Sequence, residues 1–100
     1  MRATLHISKQ ALYDLQDALD WYEAQSIGLE QRFSKAVNDR LTFISKNPEA
    51  SAIKLEGYRA AQLRKFPYTI YYEYDIANNS ANVVAVLHNK RDTKILKDRK

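Results

Sequence analysis

Two segments decide the fold: residues 64–72, RKFPYTIYY, and residues 84–92, VAVLHNKRD. Both segments are predicted to form strands, and β-branched and aromatic residues dominate the first of them. The polar residues 78–80, Asn-Asn-Ser, lie between them and favour a hairpin turn, because Asn tolerates a positive φ. Antiparallel pairing would place the cations that open the first segment beside the histidine and cations that close the second. The sequence therefore predicts a compact cationic site with aromatic neighbours, suited to a polyanion or to an acidic protein segment.

Toward the N-terminus, apolar residues recur at helical spacing in two stretches. The first predicts an amphipathic helix from about residue 9 to residue 25, with the Ser8 hydroxyl as its N-cap. The second predicts a helix from about residue 29 to residue 46, and Pro48 follows it because proline cannot continue the hydrogen-bond ladder. Gly28 between them suits a left-handed cap or turn, so the two helices should form an antiparallel hairpin.

The remaining segments predict a sheet. Strand-like segments are residues 4–7, 58–65, 68–75 and 82–88. Residues 49–57 are expected to form a loop, and residues 93–100 a short helix or a disordered tail. Helices followed by strands indicate an α+β fold, with a helical hairpin packed on a mainly antiparallel sheet of about four strands. The N-terminal strand should join that sheet beside the last or the third strand, and residues 1–100 should form a single domain.

The composition excludes several classes of protein. The chain has no Cys, which excludes disulfides and thiolate catalysis and is compatible with the cytosol. No apolar run approaches the roughly 20 residues of a membrane span, so we expect a cytoplasmic protein that does not contact membranes. The net charge is +4, divided as −1 over residues 1–50 and +5 over residues 51–100. This excess fits an anionic partner, and it equally fits a surface that is charged only for solubility.

An acidic row lies on the first predicted helix: Asp14, Asp17, Asp20 and Glu23. Residues spaced by three walk around a helix, so their carboxylates would not converge on one ion. We therefore expect a solvated helix face and no metal site. The sequence also has neither a glycine-rich phosphate loop nor a Ser-His-Asp arrangement, and we predict no cofactor.

The order of these segments resembles the RelE/ParE superfamily of type II toxins, which were long labelled plasmid stabilisation proteins. The resemblance covers about residues 2–95 and is strongest in Arg-x-Phe-Pro-Tyr-x-Ile-x-Tyr at residues 64–72 and His-x-x-Arg-Asp at residues 88–92. It implies a growth-inhibiting protein neutralised by a cognate antitoxin, whose C-terminal segment wraps around the toxin in a hetero-oligomer. RelE-like members cleave mRNA in the ribosomal A site, whereas ParE-like members inhibit DNA gyrase.

The ribonuclease branch needs an acid or base for 2′-hydroxyl attack and cations for the phosphorane charge. In that reading Arg64 and Arg91 stabilise charge, and His88 acts as acid or base. Two departures count against it. Tyr68 stands where that branch often has an arginine, and the residues after Arg91 contain neither the Tyr nor the His that it often uses there. The resemblance therefore favours a ParE-like protein without bond chemistry, with the RelE-like ribonuclease and a non-toxic binding module as alternatives.

The resemblance and the predicted sheet end together give the candidate residues for binding the target or the antitoxin: Arg59, Arg64, Lys65, Tyr68, His88, Lys90 and Arg91. Structural roles remain open for several of them. Charges at a sheet edge discourage aggregation, a strand-end histidine is often simply hydrogen-bonded, and Arg91 with Asp92 would make a local ion pair. His6, in the first strand, is expected to be structural.

Overall fold

The chain forms one mixed sheet with two α-helices, as seen in a computed structural model that describes residues 2–99. In chain order the elements are β1 (Thr4–Ile7), α1 (Lys9–Gln25), α2 (Leu29–Lys46), β2 (Ile53–Leu55), β3 (Tyr58–Gln62), β4 (Tyr68–Asp75), β5 (Ser80–His88) and a C-terminal 3₁₀ helix (Thr93–Arg99). The strand order is β1-β5-β4-β3-β2, and only the β1–β5 pair is parallel. The predicted α+β fold is confirmed, and β1 lies beside the last strand.

The strand boundaries correct the prediction in three places. The sheet has five strands rather than about four, because β2 lies inside the predicted loop over residues 49–57. β2 is three residues long and exposed throughout, so it lacks the burial alternation that marks a strand in a sequence. The predicted strand over residues 58–65 ends at Gln62, since Lys65 has a φ of +67° that turns the chain before β4. β5 begins at Ser80, two residues earlier than predicted.

The helical hairpin forms as predicted. The Ser8 hydroxyl accepts a hydrogen bond from the backbone N–H of Ala11 at 3.1 Å and so caps α1. Gly28 has a φ of +85°, the left-handed conformation, and precedes α2. A Cβ atom added at this position would meet no atom within 4 Å beyond the adjoining residues, so the requirement for glycine is conformational and not steric.

Replacing Gly28 with alanine should lower the free energy of unfolding by about 1 kcal/mol, because a left-handed backbone is unfavourable for a residue with a Cβ. Gly28→Asn should lose less, since asparagine tolerates this conformation. Urea denaturation followed by circular dichroism measures both variants. Equal stability of the alanine variant and the wild type would contradict the conformational explanation.

Both faces of the sheet are covered. The helices pack on one face, where Phe33 and Ile44 of α2 meet Ile70 and Tyr72 of β4. Ile70 and Tyr72 therefore belong to the core, and Tyr68 and Tyr74 of the same strand pack at its rim. On the other face, the 3₁₀ helix inserts Leu96, which is fully buried in the second hydrophobic cluster. The tail is thus a short helix from Thr93 to Arg99, the first of the two predicted outcomes, and Lys100 lies outside the described residues.

Asp14 corrects the expectation of a uniformly solvated acidic row. The β1–β5 pairing ends at Val83, which leaves the next part of the outer edge of β5 without a strand partner. Asp14 accepts a hydrogen bond from the Val86 N–H at 3.0 Å, and the Arg99 guanidinium donates to the Val84 carbonyl at 2.8 Å. Two hydrogen bonds of 2.8 and 3.1 Å join this guanidinium to the Asp14 carboxylate. A buried ion pair therefore completes the edge of the sheet, whereas the other three acidic residues of the row are exposed.

Candidate functional site

The predicted end of the sheet exists, with β4 and β5 paired antiparallel. Tyr68 pairs with His88, and Gln62 pairs with Thr69, so the end of β3, the start of β4 and the end of β5 lie together. The turn before β4 and the turn after β5 are joined directly, because the Asn89 N–H donates to the Pro67 carbonyl at 2.8 Å. The basic residues of both turns consequently lie at one end of the molecule's sheet.

A side-chain network holds this end together. The Thr69 hydroxyl lies 2.9 Å from the Gln62 amide and 2.8 Å from the Asn89 amide. Both partner atoms are amide oxygens, which accept, so the Thr69 hydroxyl donates its single proton to one of them at a time. Thr69 is itself buried, so the network links the end of β3 and the turn after β5 to the start of β4.

The first depression, here called the α1 cleft, lies between α1 and the sheet end and encloses about 210 Å³. Its lining residues are Asp14, Asp17, Ala18, Trp21, Tyr68, Val86, His88 and Arg91. The Tyr68 and His88 rings meet edge to face at 5.2 Å between centroids. The aromatic, cationic and carboxylate groups of this cleft are of the kinds that recur in protein-binding sites.

The acid–base state of the α1 cleft follows from its contacts. The His88 Nδ1 atom accepts the Lys90 N–H at 3.1 Å, so the neutral imidazole has its proton on Nε2. Burial raises the pKa of the Tyr68 phenol above its ordinary value, and the negative charge of Asp17 raises it further. Tyr68 is therefore a neutral hydrogen-bonding group at physiological pH.

The second depression, here called the α2 groove, lies between α2 and the turn that precedes β4. It encloses about 850 Å³ and is lined by Leu29, Arg32, Lys35, Ala36, Asp39, Arg40, Phe43, Arg64, Lys65 and Phe66. Arg64 and Lys65 are exposed, and they face a helix that supplies three more cations. The groove is thus much larger and more basic than the cleft.

A cluster of aromatic rings connects the two depressions. Phe66 lines the groove and Tyr68 lines the cleft. Both rings contact Phe33, at 5.3 and 5.1 Å between centroids, and both contact Tyr22, at 5.2 and 6.0 Å. Phe33 is fully buried, so the cluster forms a common wall between the two depressions.

The predicted site residues divide between these features. Tyr68, His88 and Arg91 line the α1 cleft, whereas Arg64 and Lys65 line the α2 groove. The prediction that all of them act on one ligand stays a prediction. Lys90 is exposed at the turn, and Asp92 accepts the Lys94 N–H at 2.9 Å.

Arg59 lies away from this sheet end. It pairs with Tyr72, four residues along β4 from Tyr68, which is roughly 13 Å of strand. Its guanidinium donates to the carbonyls of Glu49 and Ser51 at 3.1 and 2.8 Å. These bonds hold the segment that follows α2 against β3, which is a structural function.

The sequence analysis missed several lining residues. Trp21 of α1 is 59% exposed and lines the cleft. The signal in the sequence that could have identified it is an aromatic residue on the polar face of a predicted helix. Arg32 and Arg40 line the groove together with Lys35, and their spacing along α2 places them on one side of the helix. Among residues 2–99, no three potential metal ligands converge. No helix within residues 2–99 has the length and apolar character needed to cross a membrane.

The sequence matches the family described as ParE toxin of the type II toxin–antitoxin system parDE, over residues 5–93. The chain belongs to the ParE toxin family. No curated protein matches it. The match spans both depressions and all of the sheet except Thr4, so family membership applies to the folded unit described above.

Solved structures of related toxins share the fold of this ParE family member. The chromosomal ParDE system from P. aeruginosa matches at 15% identity with a TM-score of 0.69, covering 87% of this chain and 96% of that chain. The RelBE2 toxin–antitoxin complex from Mycobacterium tuberculosis matches at 20% identity with a TM-score of 0.65, covering 88% and 99%. The intact E. coli RelBE complex matches at 18% identity with a TM-score of 0.56, covering 89% and 99%.

Proposed function

We propose that this ParE family member is a growth-inhibiting toxin that binds DNA gyrase, performs no bond chemistry and is neutralised by a cognate antitoxin. The family match over residues 5–93 is the observation that supports a type II toxin, and the match is to the ParE family. Gyrase is the target that the sequence resemblance implies for this branch.

The arrangement of titratable groups favours binding over catalysis. Arg64 and Arg91, the two candidate charge stabilisers, line different depressions, which favours separate binding surfaces over a single phosphate site. The His88 Nδ1 atom is already occupied by a backbone N–H. The raised pKa of Tyr68 keeps its phenol protonated at neutral pH, which makes it a poor general base.

The α1 cleft is the surface that we propose for the target. Trp21, Tyr68 and Arg91 line it, and tryptophan, tyrosine and arginine are the residues that most often dominate binding energy in interfaces. Trp21 and Arg91 are exposed, so a partner would bury surface that is now in water.

Purified protein is expected to inhibit DNA supercoiling by purified gyrase. Trp21→Ala should raise the concentration needed for half inhibition by about 30-fold, equivalent to the ~2 kcal/mol of an interface hot spot. Tyr13→Ala is the matched control, because Tyr13 is also on α1 and is equally exposed at 59% but does not line the cleft. It should change inhibition by less than about two-fold.

Full supercoiling activity at a large excess of folded protein would contradict the gyrase proposal. Equal losses in Trp21→Ala and Tyr13→Ala would instead contradict the assignment of the target surface. Thermal denaturation of each variant checks that the changes leave the fold intact.

A RelE-like ribonuclease is the second candidate, favoured by one observation. His88, Arg91 and Tyr68 do share the α1 cleft, so an acid–base group and a cation are close to one another. Toeprinting of translating ribosomes would reveal A-site cleavage of mRNA. Cleavage that His88→Gln abolishes would favour this candidate over gyrase inhibition.

A further inference from the structure

The exposed charges of the helical hairpin are segregated by sign. α1 exposes three carboxylates and one cation, whereas α2 exposes three cations and one carboxylate; in chain order they are Lys9, Asp17, Asp20, Glu23, Arg32, Lys35, Asp39 and Lys46. A surface that is charged only for solubility intersperses the two signs. The outer surface of the hairpin therefore has an acidic half on α1 and a basic half on α2.

The two halves do not neutralise each other within the protein. Within residues 2–99, no ion pair joins α1 to α2. Lys35 is paired with Asp39 of its own helix at 2.8 Å, and both side chains are largely exposed. The side chains of Glu23 and Arg32 form no ion pair or hydrogen bond with any residue that the structure describes. Favourable contacts between opposite charges are therefore available to a second molecule.

Residues of the two helices lie at matching levels along the hairpin. α1 and α2 are joined by residues 26–28 alone and run in opposite directions. The Tyr22 and Phe33 rings fix the register, since they meet at 5.0 Å between centroids. Because both helices rise equally per residue, Glu23 then lies level with Arg32. Opposite charges are thus level with each other at the loop end of the hairpin.

Exposed residues at these levels form one row on each helix. The members of each row are three or four positions apart, so each row lies on one side of its helix. At matching levels the α1 row contains Leu12, Gln16, Asp20 and Glu23, and the α2 row contains Phe43, Asp39, Lys35 and Arg32. Leu12 is 52% exposed and Phe43 is 37% exposed. From one end to the other, the levels match apolar with apolar, amide with carboxylate, and twice carboxylate with cation.

We propose that two copies of this chain associate through their helical hairpins, related by a two-fold axis that runs parallel to the helices. This axis places α1 of each copy over α2 of the other and leaves every residue at its level. Each copy contributes both rows, so the contact is isologous and closes as a dimer. Across it, Glu23 of one copy faces Arg32 of the second copy. At the other end, Leu12 of one copy covers the Phe43 ring of the second copy.

Charge opposes the other symmetric arrangement of two hairpins. A two-fold axis across the helices would place α1 over α1 and α2 over α2, with Asp20 and Glu23 of both copies together. Facing like charges destabilise such an assembly. The arrangement with α1 over α2 instead makes neighbouring helices antiparallel, as in an up-down four-helix bundle. The segregated charges therefore select one dimer.

The size of the hairpin predicts a weak dimer. The helices are roughly 25 Å long, and two axes about 10 Å apart give a surface about 20 Å wide. Two such surfaces would bury roughly 1,000 Å² in total, which is at the lower limit of specific interfaces. The α2 row lines the α2 groove, so the dimer covers one wall of that groove in each copy. Trp21 is turned by about 100° from Asp20 on α1, so both α1 clefts stay open.

Sedimentation velocity of the full chain between about 1 and 300 µM tests the proposal. At about 50 mM salt the wild type should change from monomer to dimer with a Kd of about 10–100 µM, and it should form no larger species. At about 0.5 M salt the Kd should rise at least about three-fold, because exposed charge pairs are screened. A monomer at every concentration would overturn the proposal, and so would species that keep growing with concentration. Neither result involves gyrase, so the proposed function would stand.

Two charge-reversal variants locate the interface. Glu23→Arg and Arg32→Glu each bring like charges together at two symmetric points, so each should raise the dimer Kd by at least about ten-fold. An equimolar mixture of the two variants should form a heterodimer about as tight as the wild-type dimer, because both contacts then join opposite charges. Both changes in one chain should restore the homodimer for the same reason. Damage to the fold cannot produce this restoration, which requires that the two positions meet across the interface.

Lys54→Glu is the matched control, since Lys54 is exposed on β2 and the variant has the same net charge as Arg32→Glu. Alone, it should change the dimer Kd by less than about two-fold. Mixed with Glu23→Arg, it should form heterodimers more weakly than Arg32→Glu does, because only one of the two contacts then joins opposite charges. Equal heterodimer formation by Lys54→Glu and Arg32→Glu would show that net charge drives association, and it would overturn the proposal. A mixture of Glu23→Arg with Arg32→Glu that associates no better than either variant alone would overturn it as well.

Discussion

Replacing Asp14 with alanine should lower the free energy of unfolding by about 3–5 kcal/mol, the usual cost of removing one partner of a buried ion pair. The side chains of Asp14 and Arg99 are only 7% and 8% exposed. The variant would leave the Arg99 guanidinium buried without its counterion, and it would leave the Val86 N–H without an acceptor at the edge of β5. Guanidinium chloride denaturation followed by circular dichroism measures the loss.

The neighbouring acidic residue supplies the control for this experiment. Asp17 is exposed on the same helix, and Asp17→Ala should change stability by less than about 0.5 kcal/mol. If Asp14→Ala lost no more stability than Asp17→Ala, the buried ion pair would contribute little to the free energy of unfolding. The double variant Asp14→Ala with Arg99→Ala should be more stable than the sum of the single losses predicts, because no buried charge then remains unpaired.

The response of the 3₁₀ helix limits the size of this effect. Arg99 is near the C-terminus, so an unpaired guanidinium can reach water if the Thr93–Arg99 helix leaves the sheet. That movement would expose Leu96, which is fully buried, at a cost of roughly 1.5–3 kcal/mol. A loss of stability of roughly 1.5–3 kcal/mol, with increased proteolysis near the C-terminus, would indicate that the helix detaches. A loss of about 5 kcal/mol would indicate that the helix stays in place with the charge unpaired.

The Asp14–Arg99 pair also shows where sequence reasoning fails. The acidic row of α1 has uniform spacing, and nothing local distinguishes Asp14 from Asp17. The difference arises because Asp14 faces the part of β5 that β1 does not cover, and because a cation 85 positions away reaches the same point. Long-range contacts of this kind depend on topology, whereas helical periodicity depends only on neighbours within a turn or two.

The elements themselves were predictable because their signals are local. The apolar stripes, the Ser8 cap, the left-handed Gly28 and the asparagine-containing hairpin turn all depend on residues close in the chain. β2 was missed because three exposed residues have no distinguishing pattern, and it exists only because β3 offers an edge. The common end of β3, β4 and β5 was predicted correctly, since antiparallel pairing across a short turn fixes the register.

The basic groove could not be predicted from charge averages. Residues 1–50 have a net charge of −1, which hides the three cations that α2 presents on one side. Arg64 and Lys65, which line the same groove, were predicted to be functional residues. They were expected to lie beside His88 and Arg91, which line the α1 cleft instead. The two helices pack on one face of the sheet, and the basic residues at this end of the sheet line two separate depressions. Side-chain direction across two packed layers, which the sequence does not encode locally, therefore decides the composition of each site.

Phe33→Ala should lower the free energy of unfolding by about 3–5 kcal/mol, because it removes a fully buried ring from the centre of the aromatic cluster. The ring contacts Tyr22, Phe66 and Tyr68 at 5.0, 5.3 and 5.1 Å between centroids. Aromatic contacts of this geometry add about 0.5–1.5 kcal/mol to the value of the buried area alone. Urea denaturation measures the loss, and a cost below that of exposed Phe43→Ala would contradict the central position of this ring.

A milder change at the same position tests whether the aromatic cluster supports the α1 cleft. Phe33→Leu retains most of the apolar volume but loses the edge-to-face contacts, so the chain should remain folded with a loss of about 1–2 kcal/mol. Because Tyr68 lines the α1 cleft and its ring contacts Phe33 at 5.1 Å between centroids, this variant should weaken gyrase inhibition. Phe43→Leu is the control, since Phe43 lines only the groove, and it should leave gyrase inhibition unchanged. Equal inhibition by Phe33→Leu and by the wild type would show that the cleft does not depend on this ring.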